Sequence, residues 1–93
     1  MNRIAQADLD LNFEVYVSLL KRLDMPTEGL ALIGGSKLYG VSFQLVYIEK
    51  PSGGRRPAPG TYDGFMGYTK REVYERLRSM IRIMADIVMS MEG

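Results

Sequence analysis

The sequence predicts a single small α+β domain, ordered helix, β-hairpin, long loop and C-terminal amphipathic helix. Three observations carry that reading. A capped apolar stripe follows Thr69, a two-residue alternation runs from Tyr39 to Ile48, and a second apolar stripe ends just before Pro26. Ninety-three residues suit one domain near the lower limit of what one apolar core stabilises.

The first segment fits two patterns. As a helix over 9–24, Leu9, Phe13, Tyr16, Val17, Leu20 and Leu23 share one stripe, with Asp8 or Asp10 as cap. As a strand, Leu9, Leu11, Phe13, Val15 and Val17 alternate with polar neighbours. The helical stripe continues unbroken to Leu23, whereas a strand would orphan Ser18–Asp24, so helix is favoured.

Met25–Gly29 then reads as a connection and 30–34 as a short strand. Gly34-Gly35-Ser36 supplies a tight turn. A strand over 37–49 sends Tyr39, Val41, Phe43, Leu45 and Tyr47 to one face and Gly40, Ser42, Gln44, Val46 and Ile48 to the other. The second face is apolar at its distal end, so a cover is expected there. Residues 50–68, rich in proline and glycine, read as an irregular loop, a type often functional.

The last helix, 69–91, opens with a capping box of Thr69 and Glu72, flanked by Tyr68 and Val73 at hydrophobic-staple positions. Its seam is Val73, Leu77, Met80, Met84, Ile87 and Met91. Two helices on one face of a hairpin leave the other face partly bare. Self-association, through sheet edges or through Leu77, Met80, Met84, Ile87 and Met91, is the expected remedy.

Composition narrows the chemistry. There is neither cysteine nor histidine, which removes disulfides, thiolate metal sites and the commonest general base. No run approaches the ~20 apolar residues of a membrane span, and the first eight residues lack a signal-peptide core. A cytoplasmic protein with no cofactor is the expectation. Gly29–Lys37 resembles a phosphate loop only in its glycine spacing, because Gly35 stands where the lysine should be. Asp63, beside Gly64, reads as a turn former rather than a base.

Charge is unevenly spread. Residues 1–49 carry four basic against six acidic groups, and 50–82 carry eight against three. Lys70 and Arg71 sit at a helix start that is already positive. Arg55 and Arg56 precede them, and Ser52-Gly53-Gly54 could curl its amides into an anion nest. Tyr62, Phe65 and Tyr68 could stack on a base. Arg55, Arg56, Tyr62, Tyr68, Lys70 and Arg71 are therefore the candidate ligand residues. In size and composition the chain is similar to compact, cysteine-free proteins encoded by bacteriophages and other mobile elements. The function expected is a non-enzymatic, homo-oligomeric binding protein for an anionic partner: a nucleotide, a nucleic-acid backbone or an acidic protein surface. The alternative is a protein-interaction or inhibitor module using the apolar helix face and sheet edge.

Overall fold

A computed structural model describes residues 4–34 and 42–92. The first segment is helical. α1 spans Gln6–Arg22, three residues earlier than the stripe indicated. Its N-cap is Ala5, not an aspartate, and the Ala5 N–H donates to Asp8 Oδ2 at 2.9 Å. Asp8 is thus the returning half of a capping box, an arrangement that satisfies one orphan amide of the first turn. The helix ends in a Schellman turn. Asp24 takes φ 61°, and the Met25 and Asp24 amides donate to the Leu20 and Lys21 carbonyls.

β1 (Leu30–Gly34) pairs antiparallel with β2 (Phe43–Ile48), from Leu30 opposite Tyr47 to Gly34 opposite Phe43. The expected second strand is shorter at its start: Ser42 is outside it, and residues 37–41, with the Gly35-Ser36 turn, lie outside the described residues. The larger correction concerns 50–68. That stretch holds two strands, β3 (Arg55–Pro57) and β4 (Phe65–Gly67), both antiparallel to β2 and both on the side away from β1. Leu45 is the pivot between them: Ala58 N–H donates to its carbonyl, and its own N–H donates to the Gly64 carbonyl. The result is a four-stranded antiparallel sheet whose central strand is β2.

α2 (Lys70–Glu92) starts where the capping box placed it, with Glu72 N–H donating to Thr69 Oγ1 at 3.1 Å. At 23 residues it is about 34 Å long. It lies beside α1 and runs in the same direction. Asp8 and Asn12 share a groove with Tyr74 and Arg78, and Arg22 bonds Glu92 at the far end.

Both helices cover one sheet face. Leu30, Leu32, Phe43 and Leu45 meet Leu9, Tyr16, Leu20, Val73, Leu77 and Met80, with Ala58 and Met66 completing the core. Strand alternation sends Ala31, Ile33, Gln44, Val46 and Ile48 to the opposite face. The cover expected over its distal half comes from the chain itself. Gly64, with φ 82°, lies so close that a Cβ there would come within 2.8 Å of Val46 Cγ1, and Val46 is buried.

α2 uses its seam unevenly. Val73, Leu77 and Met80 are buried, but farther along burial moves to Val88 while Ile87 and Met91 stay exposed. Val88 stands two turns beyond Ile81, which lines the groove with α1. The last turns therefore pack on α1 alone, and the apolar arc on their other flank is left uncovered. Leu77 and Met80, expected at an oligomer interface, belong instead to the chain's own core. Met84 packs partly against that core.

Candidate functional site

The expected site divides, because Arg55 and Arg56 are neighbours in a strand and so point to opposite faces. Arg56 is opposite Tyr47, on the helix-covered side; its guanidinium lies 5.4 Å from the Tyr47 ring and its Nε 3.6 Å from Glu49 Oε1. It neutralises a carboxylate and covers a ring. Arg55 points the other way and donates to Gln44 Oε1 at 3.1 Å.

The proposed amide nest over Ser52-Gly53-Gly54 is closed by its own turn. Gly53 N–H donates to the Glu49 carbonyl at 2.7 Å and Gly54 N–H to Ser52 Oγ at 3.1 Å. Amides already paired in this way offer nothing to an incoming anion.

What the fold does gather is aromatic. Tyr62-Asp63-Gly64-Phe65 is a two-residue turn with φ 57° at Asp63 and φ 82° at Gly64, closed by Phe65 N–H to the Tyr62 carbonyl at 3.1 Å. Positive φ at both central positions is the type I′ geometry, and Asp-Gly is a preferred filling for it. Asp63 is therefore a turn former. The Tyr62–Phe65 bridge makes those two a cross-strand pair. Met66 enters the core, so Phe65 faces away from the helices, on the same side as Gln44 and Arg55.

Tyr68 joins the pair. Its ring meets Phe65 edge-on at 5.1 Å, and Arg76 lies 5.6 Å from the Phe65 ring. Tyr68, expected at a staple position, is 62% exposed, while Val73 is buried. Tyr62 is 88% exposed. Gly67 makes the junction possible: at φ 145°, a Cβ on it would come within 2.7 Å of Glu72 Cβ. Lys70 and Arg71 are exposed in the first turn of α2, directly after Tyr68.

Of the six ligand candidates, Tyr62 and Tyr68 converge on Phe65, Arg55 shares that side, and Lys70 and Arg71 follow in chain. Arg56 is elsewhere. Sequence reasoning missed Arg76 and Gln44. Arg76 sits at helical spacing of four from Glu72, on the flank that faces β4, a position readable only once β4 was known to pack there. Gln44 lay in the polar first half of its strand face, beside Ser42, where nothing in the sequence set it apart.

Two other tyrosines serve the fold. Tyr16 OH donates to the Pro59 carbonyl at 2.6 Å, and Tyr47 OH to the Pro26 carbonyl at 2.7 Å. Burial pushes the Tyr16 hydroxyl far above the usual phenol range, with Tyr47 adding to the rise. Burial also raises Tyr47, partly offset by the Arg56 cation.

No known protein family, curated protein or solved structure matches the chain. Among the described residues, no helix is long and apolar enough to cross a membrane.

Proposed function

We propose that the chain is a non-enzymatic, homo-oligomeric binding protein that takes single-stranded nucleic acid on the aromatic and cationic surface at the β4–α2 junction. The observation that supports it is the pair of exposed tyrosines, Tyr62 and Tyr68, bracketing Phe65 on the side where Arg55 reaches Gln44. An exposed phenol ring with no role in the core offers its face to a base, and such stacking contributes about 1–3 kcal/mol per base. Arg55, Arg76, Lys70 and Arg71 supply positive charge for the backbone phosphates. Duplex hides the faces of its bases, so a stacking surface selects single strands. A chain without cysteine suits the reducing cytoplasm in which such a protein would work.

Fluorescence anisotropy with a labelled mixed-sequence oligonucleotide, single-stranded and as duplex, tests the reading. Tight single-strand binding that weakens with salt, with a log–log slope of about −2 to −3 for three or four phosphate contacts, is expected. Equal affinity for duplex, or no binding at low salt, overturns it. The alternative, a protein-interaction module, draws support from the exposed ridge on α2 and predicts association that salt barely alters.

A further inference from the structure

Arg55 and Gln44 share one hydrogen bond, and chemistry fixes its direction. A guanidinium carries N–H donors and no acceptor, so the 3.1 Å contact from Arg55 Nη1 falls on Gln44 Oε1. The carbonyl end of the amide is thereby engaged and the NH2 end is left over. Among the described residues, Gln44 Nε2 donates to nothing and Arg55 makes no second hydrogen bond or ion pair. None of their polar side-chain atoms is buried without a partner, so Nε2 is open to solvent. The pair stands at the end of a row. Gln44 is the register partner of Phe65, and Phe65 the bridge partner of Tyr62. The three side chains therefore stand side by side on the sheet face away from the helices. Adjacent strands are about 4.8 Å apart, so a base resting on this row has its edge within side-chain reach of Gln44. Arg55 arrives from the other direction: it is opposite Ile48 and reaches back along β2 to the same amide.

We infer that Gln44 and Arg55 together select the base that stacks on this row, and that the base is guanine. The inference rests on the single-strand binding of the proposed function and gives it a sequence preference. A freely rotating glutamine serves adenine, accepting from N6 and donating to N7. Here the guanidinium of Arg55 stands at the acceptor end, where an adenine amino group would face N–H donors. What the pair offers is an amide N–H beside a guanidinium N–H, and two neighbouring donors need two neighbouring acceptors. Guanine has them in O6 and N7, whereas thymine flanks O4 with a methyl group. Cytosine has O2 beside N3, but its single ring covers less of an aromatic face than a purine does. Guanine alone joins the paired acceptors to the larger stacking surface.

Fluorescence anisotropy tests it with labelled oligo-dT and with the same strand carrying spaced guanines, adenines or cytosines in place of thymines. Spacing keeps the guanines from forming quadruplexes. The guanine strand is expected to bind about tenfold more tightly than the adenine strand. Deazaguanine lacking N7 keeps the ring and its stacking, and should abolish that ratio. Gln44→Met replaces the amide by an apolar chain of equal length and should bring the ratio close to one. Gln44→Glu presents only acceptors and should turn the preference toward adenine. Each readout is a ratio of two affinities for one protein sample, so a change in the folded fraction cancels. Equal affinity for the guanine and adenine strands overturns the inference and leaves single-strand binding standing. So does a guanine preference that survives loss of N7 or of the Gln44 amide, and so does a cytosine strand that binds most tightly. A chain that binds none of the strands removes the inference and the proposed function together.

Discussion

Tyr16 and Tyr47 differ from Tyr62 and Tyr68 in one respect that separates stability from recognition. The first two are buried, and each spends its hydroxyl on a carbonyl from a distant segment: Pro59 for Tyr16, Pro26 for Tyr47. They tie the two proline-containing connections to the helix and sheet. The second two project from the surface, and the ring contact of Tyr68 is with Phe65, itself partly exposed. The same side chain is a staple in one place and an unspent stacking face in the other. Burial makes the distinction, and with it the cost of removal.

The sharpest way to break the comparison is Tyr16→Ala. It empties a fully buried site between α1, the sheet and the Ala58–Gly60 bend, and should cost about 3–5 kcal/mol, enough to unfold a domain this small. Urea denaturation would measure it, and a loss below about 1 kcal/mol would mean the core closes without the ring.

Tyr16→Phe keeps the ring and removes only the donor. The Pro59 carbonyl is left unpaired, at about 1–2 kcal/mol. This variant also carries a pH signature. The folded-state pKa is raised above the ordinary value of 10.0, so the folded protein keeps its proton after the unfolded chain has lost it. The stabilisation is complete below pH 10 and is lost as pH rises beyond it. Wild-type melting temperature should fall steeply above pH 10, and Tyr16→Phe should flatten that fall. Parallel curves for the two proteins would show that Tyr16 titrates normally.

Gly64→Ala tests the turn that presents the exposed ring. Positive φ and the approach to Val46 both oppose a side chain, for a loss of about 1–2 kcal/mol. If the turn carries the site, oligonucleotide affinity falls with it. Smallest in stability is Tyr62→Ala, within about 0.5 kcal/mol in chemical denaturation. Its effect belongs in binding, where about tenfold weaker association with single-stranded oligonucleotide is expected. Tyr68→Ala should act alike, and unchanged affinity in both would remove the stacking surface.

Legibility followed the range of the interactions. The start of α2 was readable because Thr69 and Glu72 lie three residues apart and need only each other. The hairpin of β1 and β2 was readable because alternation is a local pattern. β3 was not: Arg55-Arg56-Pro57 has no strand periodicity, and it becomes a strand because β2 offers it an edge, where charge and proline are tolerated. β4 had a signal that was underused, since Asp63-Gly64 between Tyr62 and Phe65 is a short-range hairpin pattern. The site was half visible. Tyr62, Phe65 and Tyr68 are close in sequence, whereas separating Arg55 from Arg56 required knowing that they lie in a strand.

By itself the amino-acid order determined the α+β class, the ends of the last helix, its apolar stripe and the want of thiol and imidazole chemistry. Each depends on spacing within a few residues or on composition. Tertiary structure decided that the loop is sheet, that Leu77 and Met80 are core, and that Ile87 and Met91 are not. Those outcomes depend on which surface lies opposite, and a side chain's burial is a property of its neighbours across the fold rather than of its own position in the chain.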